Sequence, residues 1–222
     1  KMAEITIALV GTTGHGKSST GNTILRKNAF EEGNMTRDTT NILTLQRADF
    51  ENYKVKVVDF PGSQSQIFSE EHITRQIFSL MEAAKKIDLF IFVFNFINRF
   101  TREEENAFLF LQKQLGHDFL KEHGMIVVTH GDLWKSEAAE NNMSSEQFFR
   151  KWCSNAGDKF NSLINMVGDR ILLVGNRGPF ENNNERIVSS KKIHEIAVKM
   201  FNKFNPYTKE EFDKIHSTCE IL

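Results

Sequence analysis

Cysteine is scarce in this 222-residue chain: there are two, Cys153 and Cys219, far apart and without metal-ligand spacing. That excludes a disulfide-stapled scaffold and a cysteine-built zinc site, and it suits a reducing, cytosolic compartment. Excess charge of either sign is missing as well. With 28 basic and 29 acidic residues the formal net charge is −1, which leaves no electrostatic case for nucleic acid or for an anionic membrane. No signal-peptide pattern stands at the amino terminus. The most apolar run, Ile87 to Phe94, is too short to span a bilayer and reads as a buried central strand covering 87–95. Internal repeats are absent. What the chain has in abundance is phenylalanine, 20 residues, taken here as core material.

The hydrophobic pattern alternates between strands and helices. Ile5 to Val10 is apolar and β-branched, a glycine-rich turn follows, and a polar-faced helix runs from about Lys17 to Arg26. Strands are expected at 42–50 and 53–59, joined tightly enough to pair antiparallel, and again at 125–128 and 170–174. Helical spacing marks 70–86, 101–115, 144–156, 160–167 and 187–204. Thr101 with Glu104 forms a capping-box pattern, and Thr208 with Glu211 can cap a last short helix after Pro206. Asn28 to Asn41 reads as a loop. The expectation is a three-layer α/β P-loop domain over residues 1–205, followed by a short helical tail over 206–222. Its six-stranded sheet would be mostly parallel, with one antiparallel edge strand and helices on both faces.

Gly11-Thr12-Thr13-Gly14-His15-Gly16-Lys17-Ser18 satisfies G-x-x-x-x-G-K-[ST] between a strand and a helix. In such a loop the backbone N–H groups of Thr13, Gly14, His15, Gly16, Lys17, Ser18 and Ser19 turn toward phosphate oxygens, and the helix N-terminus adds its dipole. Lys17 can bridge β- and γ-phosphates, and the Ser18 hydroxyl can ligate Mg2+. This loop alone does not choose between ATP and GTP. Asp59-Phe60-Pro61-Gly62 has the D-x-x-G form at a strand end, with Asp59 suited to a magnesium-bound water and the Gly62 N–H to the γ-phosphate. Thr129-His130-Gly131-Asp132 stands where GTPases carry N-K-x-D. Asp132 can accept hydrogen bonds from guanine N1 and N2, which adenine cannot supply, and His130 can stack on the base. Thr129 in place of Asn costs one side-chain tie to the phosphate loop. Asn176 is the candidate for a last guanine-contacting loop.

Gly16-Lys17-Ser18-Ser19-Thr20-Gly21-Asn22-Thr23-Ile24-Leu25 resembles a run found in the GIMAP (immunity-associated, avirulence-induced) GTPases, relatives of the chloroplast-envelope Toc GTPases and of septins. Asn98-Arg99-Phe100-Thr101-Arg102-Glu103-Glu104-Glu105 is similar to that family's box between the third and fourth motifs, with Asn98 where the family has Gly. The resemblance covers residues 4 to 204. It implies a switch threonine that ligates Mg2+ and the γ-phosphate, aligned best with Thr40, with Thr39 and Thr36 as alternatives. It also implies dimerisation across the nucleotide face, with Arg99 near the partner's nucleotide.

Ser63 follows the D-x-x-G glycine where Ras-like enzymes place the water-orienting Gln, so intrinsic hydrolysis should be slow. A trans arginine, Arg99, is the candidate to supply the missing charge stabilisation. Cys219-Glu220-Ile221-Leu222 fits a prenylation signal, with an unfavourable Glu and no preceding basic run. The function expected is a guanine-nucleotide switch or scaffold using GTP, GDP and Mg2+. It would be cytoplasmic, with nucleotide-dependent self-association, no nucleic-acid partner and membrane association left open. The alternatives are a nucleotide-binding module without turnover and an ATP-using P-loop enzyme, for which the chain offers no substrate lid.

Overall fold

The computed structural model describes residues 2–31, 43–59, 70–97, 101–116, 118–180 and 183–217. The first strand, β1 (Ala3–Val10), is the hinge of the topology. It runs parallel to β3 (Tyr53–Asp59) on one side and to β5 (Leu89–Asn95) on the other. Beyond β5 lie β6 (Gly124–Thr129) and β7 (Ile171–Leu173), both parallel. Beyond β3 lies β2 (Thr44–Asp49), antiparallel to it, and the spatial order is β2-β3-β1-β5-β6-β7. This is the expected six-stranded sheet with one antiparallel edge strand. Successive crossovers leave β1 in opposite directions, which opens a crevice at the carboxyl ends of the strands.

Alternation along β1 divides the core. Ile5, Ile7 and Leu9 face α1 (Lys17–Leu25) and α8 (Asn184–Lys203) through Ile24, Ile193, Ala197 and Met200. Ala8 and Val10 face the opposite layer, formed by α2 (Glu70–Ala84), α3 (Arg102–Leu115), α4 (Phe119–His123), α5 (Gly131–Glu140) and α7 (Asp158–Val167). The phenylalanines are concentrated on that second face. Phe90 meets Phe119 edge-on at 5.7 Å, and Phe92 meets Phe108 at 5.4 Å, the orientation that the ring quadrupoles favour. Two capping boxes bracket this layer, the expected one at Thr101 and a second, not singled out in the sequence, at Ser144. Thr101 caps α3, and Ser144 caps α6 (Ser145–Asn155) with Gln147 as its partner.

Three elements depart from the sequence pattern. The apolar run 87–95 is not one strand. Lys86–Ile87, β4, pairs antiparallel with β8 (Tyr207–Thr208), and the main-sheet strand begins only at Leu89. Asp88 sits at the break, where its carboxylate accepts the Thr6 N–H at 2.7 Å and its own N–H donates to the Thr6 carbonyl at 2.8 Å. A strand-like composition could not reveal this switch of partners, because it depends on residues more than a hundred positions away. The helices α4 and α5 were not anticipated either. The first is a single turn, and the second starts inside the base motif with few apolar positions.

The chain's last described helix, α9 (Lys209–Ser217), is capped by Thr208 and Glu211 as expected. It packs between α2 and α3. Phe212 is fully buried in the shared core, with its ring edge-on to Phe78 at 4.8 Å, and the His216 ring nitrogen lies 3.2 Å from the Gln114 carbonyl. No helix among the described residues is long and apolar enough to cross a membrane. Phe212→Ala is expected to lower the unfolding free energy by about 3–5 kcal/mol, the usual cost of deleting a core aromatic ring. Urea denaturation measures it, and a loss under about 1 kcal/mol would mean that α9 is not part of the cooperative core.

Candidate functional site

The phosphate-loop residues lie at the carboxyl end of β1, where the sheet's crevice opens. Gly14 (φ 83°) and Gly16 (φ 88°) hold left-handed backbone conformations that strain any other residue, and so fold the loop back over the start of α1. Thr13 and Gly14 are exposed at its tip, while His15 and Lys17 are buried. The Lys17 ammonium donates to the Thr12 carbonyl at 3.2 Å. Burial pushes its pKa down, and the nearby Asp59 carboxylate opposes that shift. Asp59, at the end of β3, accepts the Ser18 hydroxyl proton on Oδ2 at 2.7 Å. Burial pushes its carboxyl pKa up, against the pull of Lys17 and Ser18. Its second oxygen, Oδ1, is buried and has no hydrogen-bond partner among the described residues. A hydroxyl and a carboxylate already in contact, with one carboxylate oxygen unspent, are a donor set that fits a hard divalent cation such as Mg2+. Ser18 and Asp59 are the residues that would hold it.

At the carboxyl end of β6, Thr129 corrects one expectation. The Asn-to-Thr change does not sever the side-chain tie to the phosphate loop. The Thr129 hydroxyl lies 2.9 Å from the His15 carbonyl and 3.2 Å from the Phe94 carbonyl, and its methyl packs against Gly16, where an added Cβ would sit 3.2 Å away. A shorter side chain makes the bond because the two backbones approach closely. His130 adopts a left-handed conformation (φ 67°) as it enters α5, with its Nδ1 3.1 Å from the Thr129 hydroxyl. Asp132 lies one residue beyond Gly131, in the first turn of α5. The loop after β7 lies directly alongside. The Gly131 N–H donates to the Val174 carbonyl at 3.1 Å, and a Cβ on Gly131 would meet the Gly175 nitrogen at 3.1 Å. Asn176 is on this loop, but its side chain is committed to α1. Nδ2 donates to Thr20 at 2.9 Å and Oδ1 accepts from Thr23 at 2.8 Å. Thr36, Thr39, Thr40, Gly62, Ser63, Arg99 and Cys219 lie outside the described residues.

Residues 5–221 match the model of the AIG1 family. The chain belongs to that family. It is 26% identical over 211 residues to immune-associated nucleotide-binding protein 1 of Arabidopsis thaliana, covering 94% of this chain and 90% of the relative. Of two further Arabidopsis relatives, proteins 4 and 12 of the series, it spans 64% and 42%. Among solved structures it is similar to Arabidopsis Toc33 in complex with Mg2+ and GMPPNP, with TM-score 0.65, 15% identity, and coverage of 89% of this chain and 86% of that one. A second Toc structure, from work on dimerisation and the GTPase activity of atToc33 and psToc159, has the same score and identity and covers 93% and 86%. Likeness at that identity speaks for the fold, that of P-loop GTPase domains. Family, fold and motifs together make this chain a GTP-binding protein of the GTPase class.

Two positions of the AIG1-type run serve architecture. A Cβ on Gly21 would strike the Phe30 ring at 2.7 Å. Asn22 clamps the segment after α1, accepting the N–H groups of Ala29 and Phe30 at 2.8 and 2.7 Å and donating to the Phe30 carbonyl at 2.9 Å. His15 carries a further contact that the motif did not suggest. Its Nδ1 lies 3.3 Å from Oε1 of Glu104, the same carboxylate that caps Thr101 on α3. A hydrogen bond to the Val93 backbone favours the charged imidazole. Burial, reinforced by Lys17 and His130, outweighs it and holds the His15 pKa at about 4, because the ring is almost fully enclosed and faces two cationic or potentially cationic neighbours. His15 is therefore neutral at physiological pH. An unfolded histidine titrates near 6.5, so between the two values the unfolded chain takes up a proton that the fold refuses. Stability then falls as pH drops from 6.5 toward 4, by about 3 kcal/mol for the whole interval. Urea midpoints at pH 7 and pH 4.5 should show a markedly smaller drop for nucleotide-free His15→Ala than for wild type; an unchanged drop would place the acid sensitivity elsewhere.

Proposed function

We propose that this AIG1-family domain is a GTP-regulated switch with slow intrinsic hydrolysis, activated when two copies meet across the nucleotide face. The observation that carries the reading is the Thr129-to-His15 hydrogen bond. It joins the phosphate loop to the segment that bears His130 and Asp132, so phosphates and base are gripped by one frame. Lys17 and the loop amides neutralise the β- and γ-phosphates. Ser18 and Asp59, with Thr40, would hold Mg2+, whose charge would screen the phosphate oxygens. Asp132 accepts the guanine N1 and N2 protons, His130 stacks on the ring, and Gly62 senses the γ-phosphate.

In hydrolysis water attacks the γ-phosphorus, the bond to the β–γ bridging oxygen breaks, and GDP and inorganic phosphate leave. Positioning and charge stabilisation carry most of the acceleration in such reactions. With Ser63 in the place of a water-orienting Gln, this chain is short of both until Arg99 of a second copy approaches the γ-phosphate. The Toc structure obtained in work on dimerisation and GTPase activity supports a role for pairing in the fold. The domain is proposed to act in the cytoplasm, with any membrane contact peripheral.

The test is single-turnover GTP hydrolysis over a hundredfold range of protein concentration. The observed rate constant is expected to rise at least tenfold with concentration in wild type and to stay flat and low in Arg99→Ala. A wild-type rate independent of concentration, or an Arg99→Ala protein that matches wild type at the highest concentration, contradicts the dimer-activated mechanism.

A further inference from the structure

Arg186 is almost completely buried in the first turns of α8, 2% exposed. Burying a guanidinium is costly, and an apolar side chain of similar volume often does as well for stability alone. Its bonds suggest what the arginine supplies. Nε donates to the Thr23 hydroxyl at 2.9 Å, NH1 to the Gly178 carbonyl and NH2 to the Ser19 carbonyl at 3.5 Å. The Thr23 hydroxyl in turn donates to Asn176. Asn183, the cap of α8, accepts the Arg186 N–H at 3.1 Å and donates to the Arg177 carbonyl. One planar fork therefore joins two turns of the phosphate helix α1, at Ser19 and Thr23, to the Gly178 end of the loop Asn176–Gly178, and reaches its Asn176 end through the Thr23 hydroxyl. Val174 and Gly175, just before that loop, abut Gly131 at the start of α5, so the loop borders the place where the base must lie. The N–H groups of Gly175 and Asn176 donate to no acceptor among the described residues.

We propose that Arg186 is a positioning residue for base selectivity, fixing loop 175–178 at a set distance from α1 so that its backbone N–H groups meet the 6-position of the base. A guanine carries a carbonyl oxygen there and accepts those protons. An adenine carries an amino group, whose own protons confront them. A fork that locks the loop makes the mismatch unavoidable, whereas a loosened loop retreats and tolerates either base. The inference rests on the guanine reading of the site and adds to it a residue that touches neither base nor phosphate.

The experiment compares dissociation constants for Mg2+-GDP and Mg2+-ADP by calorimetry in wild type, Arg186→Met, Arg186→Lys and Thr23→Val. Thr23→Val removes the shared hydroxyl while nearly keeping its shape, so it reports on the network even if Arg186→Met folds poorly. The preference for GDP over ADP is expected to shrink at least tenfold in Arg186→Met and in Thr23→Val. The shrinkage should come from weaker GDP binding, tighter ADP binding or both, and Arg186→Lys should recover part of the preference. Equal weakening of both nucleotides, or an unchanged ratio in a folded Thr23→Val protein, overturns the assignment and leaves Arg186 a packing residue. A wild type that binds ADP as tightly as GDP is a different result: it removes the guanine reading itself.

Discussion

The Thr129 hydroxyl reaches the His15 carbonyl across the crevice where β1, β5 and β6 end, and that short bond sets the geometry of everything around it. The phosphate loop hangs from β1 and the base-side helix α5 from β6. Without a cross-link, the distance between them would depend on two independent turns. With it, the His15 carbonyl is satisfied across the crevice, while the His15 N–H turns back onto the Thr12 carbonyl at 3.2 Å, so both polar groups of that buried peptide are paired. The bond is buried, where an unmade partner costs more than in water. Thr129 also packs its methyl on Gly16, so the same side chain fixes both the separation and the closeness of the approach.

That frame is expensive locally and is supported by the apolar structure behind it. Lys17, Asp59, His15 and Arg186 are buried polar groups, and the first three have pKa values driven toward their neutral forms by burial. The support on the base side is a dense aromatic block. Trp134 of α5 is fully buried, with Phe96 at 4.7 Å and Phe148 at 4.6 Å from its ring, and its indole N–H donates to the Ser145 carbonyl at 3.0 Å. Rings packed this way hold α5, and hence His130 and Gly131, with little rotational freedom. On the phosphate side Asn22 and Gly21 do the equivalent work for α1. A site that must present unpaired donors and an unspent carboxylate oxygen to a ligand needs such stiff surroundings to keep from collapsing onto itself.

The sequence made much of this readable. Glycine spacing between a strand and a helix identified the phosphate loop, since few other structures need that pattern, and strand periodicity gave the sheet order's edge hairpin. Asp59 was legible for the same reason, as a carboxylate at the end of a strand. Thr129 was read as a lost contact because motif comparison counts side-chain length and not the distance that side chain must bridge. Asn176 was placed on the correct loop, but its side chain turned out to serve α1. Arg186 gave no signal at all: its partner Thr23 is 163 positions away, and an arginine just ahead of the expected helix over 187–204 looks like a solvated charge. Asp88 was hidden within an apolar run for a similar reason, its role set by Thr6 on a neighbouring strand. Local pattern specifies elements, whereas polar contacts between distant elements decide how the site is braced.

Calorimetric titration of the wild-type domain with a non-hydrolysable GTP analogue, with Mg2+ and with a chelator, tests the central claim most directly. One site per chain is expected, with affinity at least tenfold weaker when Mg2+ is removed, since Ser18 and Asp59 then hold nothing for the phosphates to share. No binding, or binding of equal strength with and without Mg2+, would contradict the account of the Ser18 and Asp59 pair and of the loop it serves.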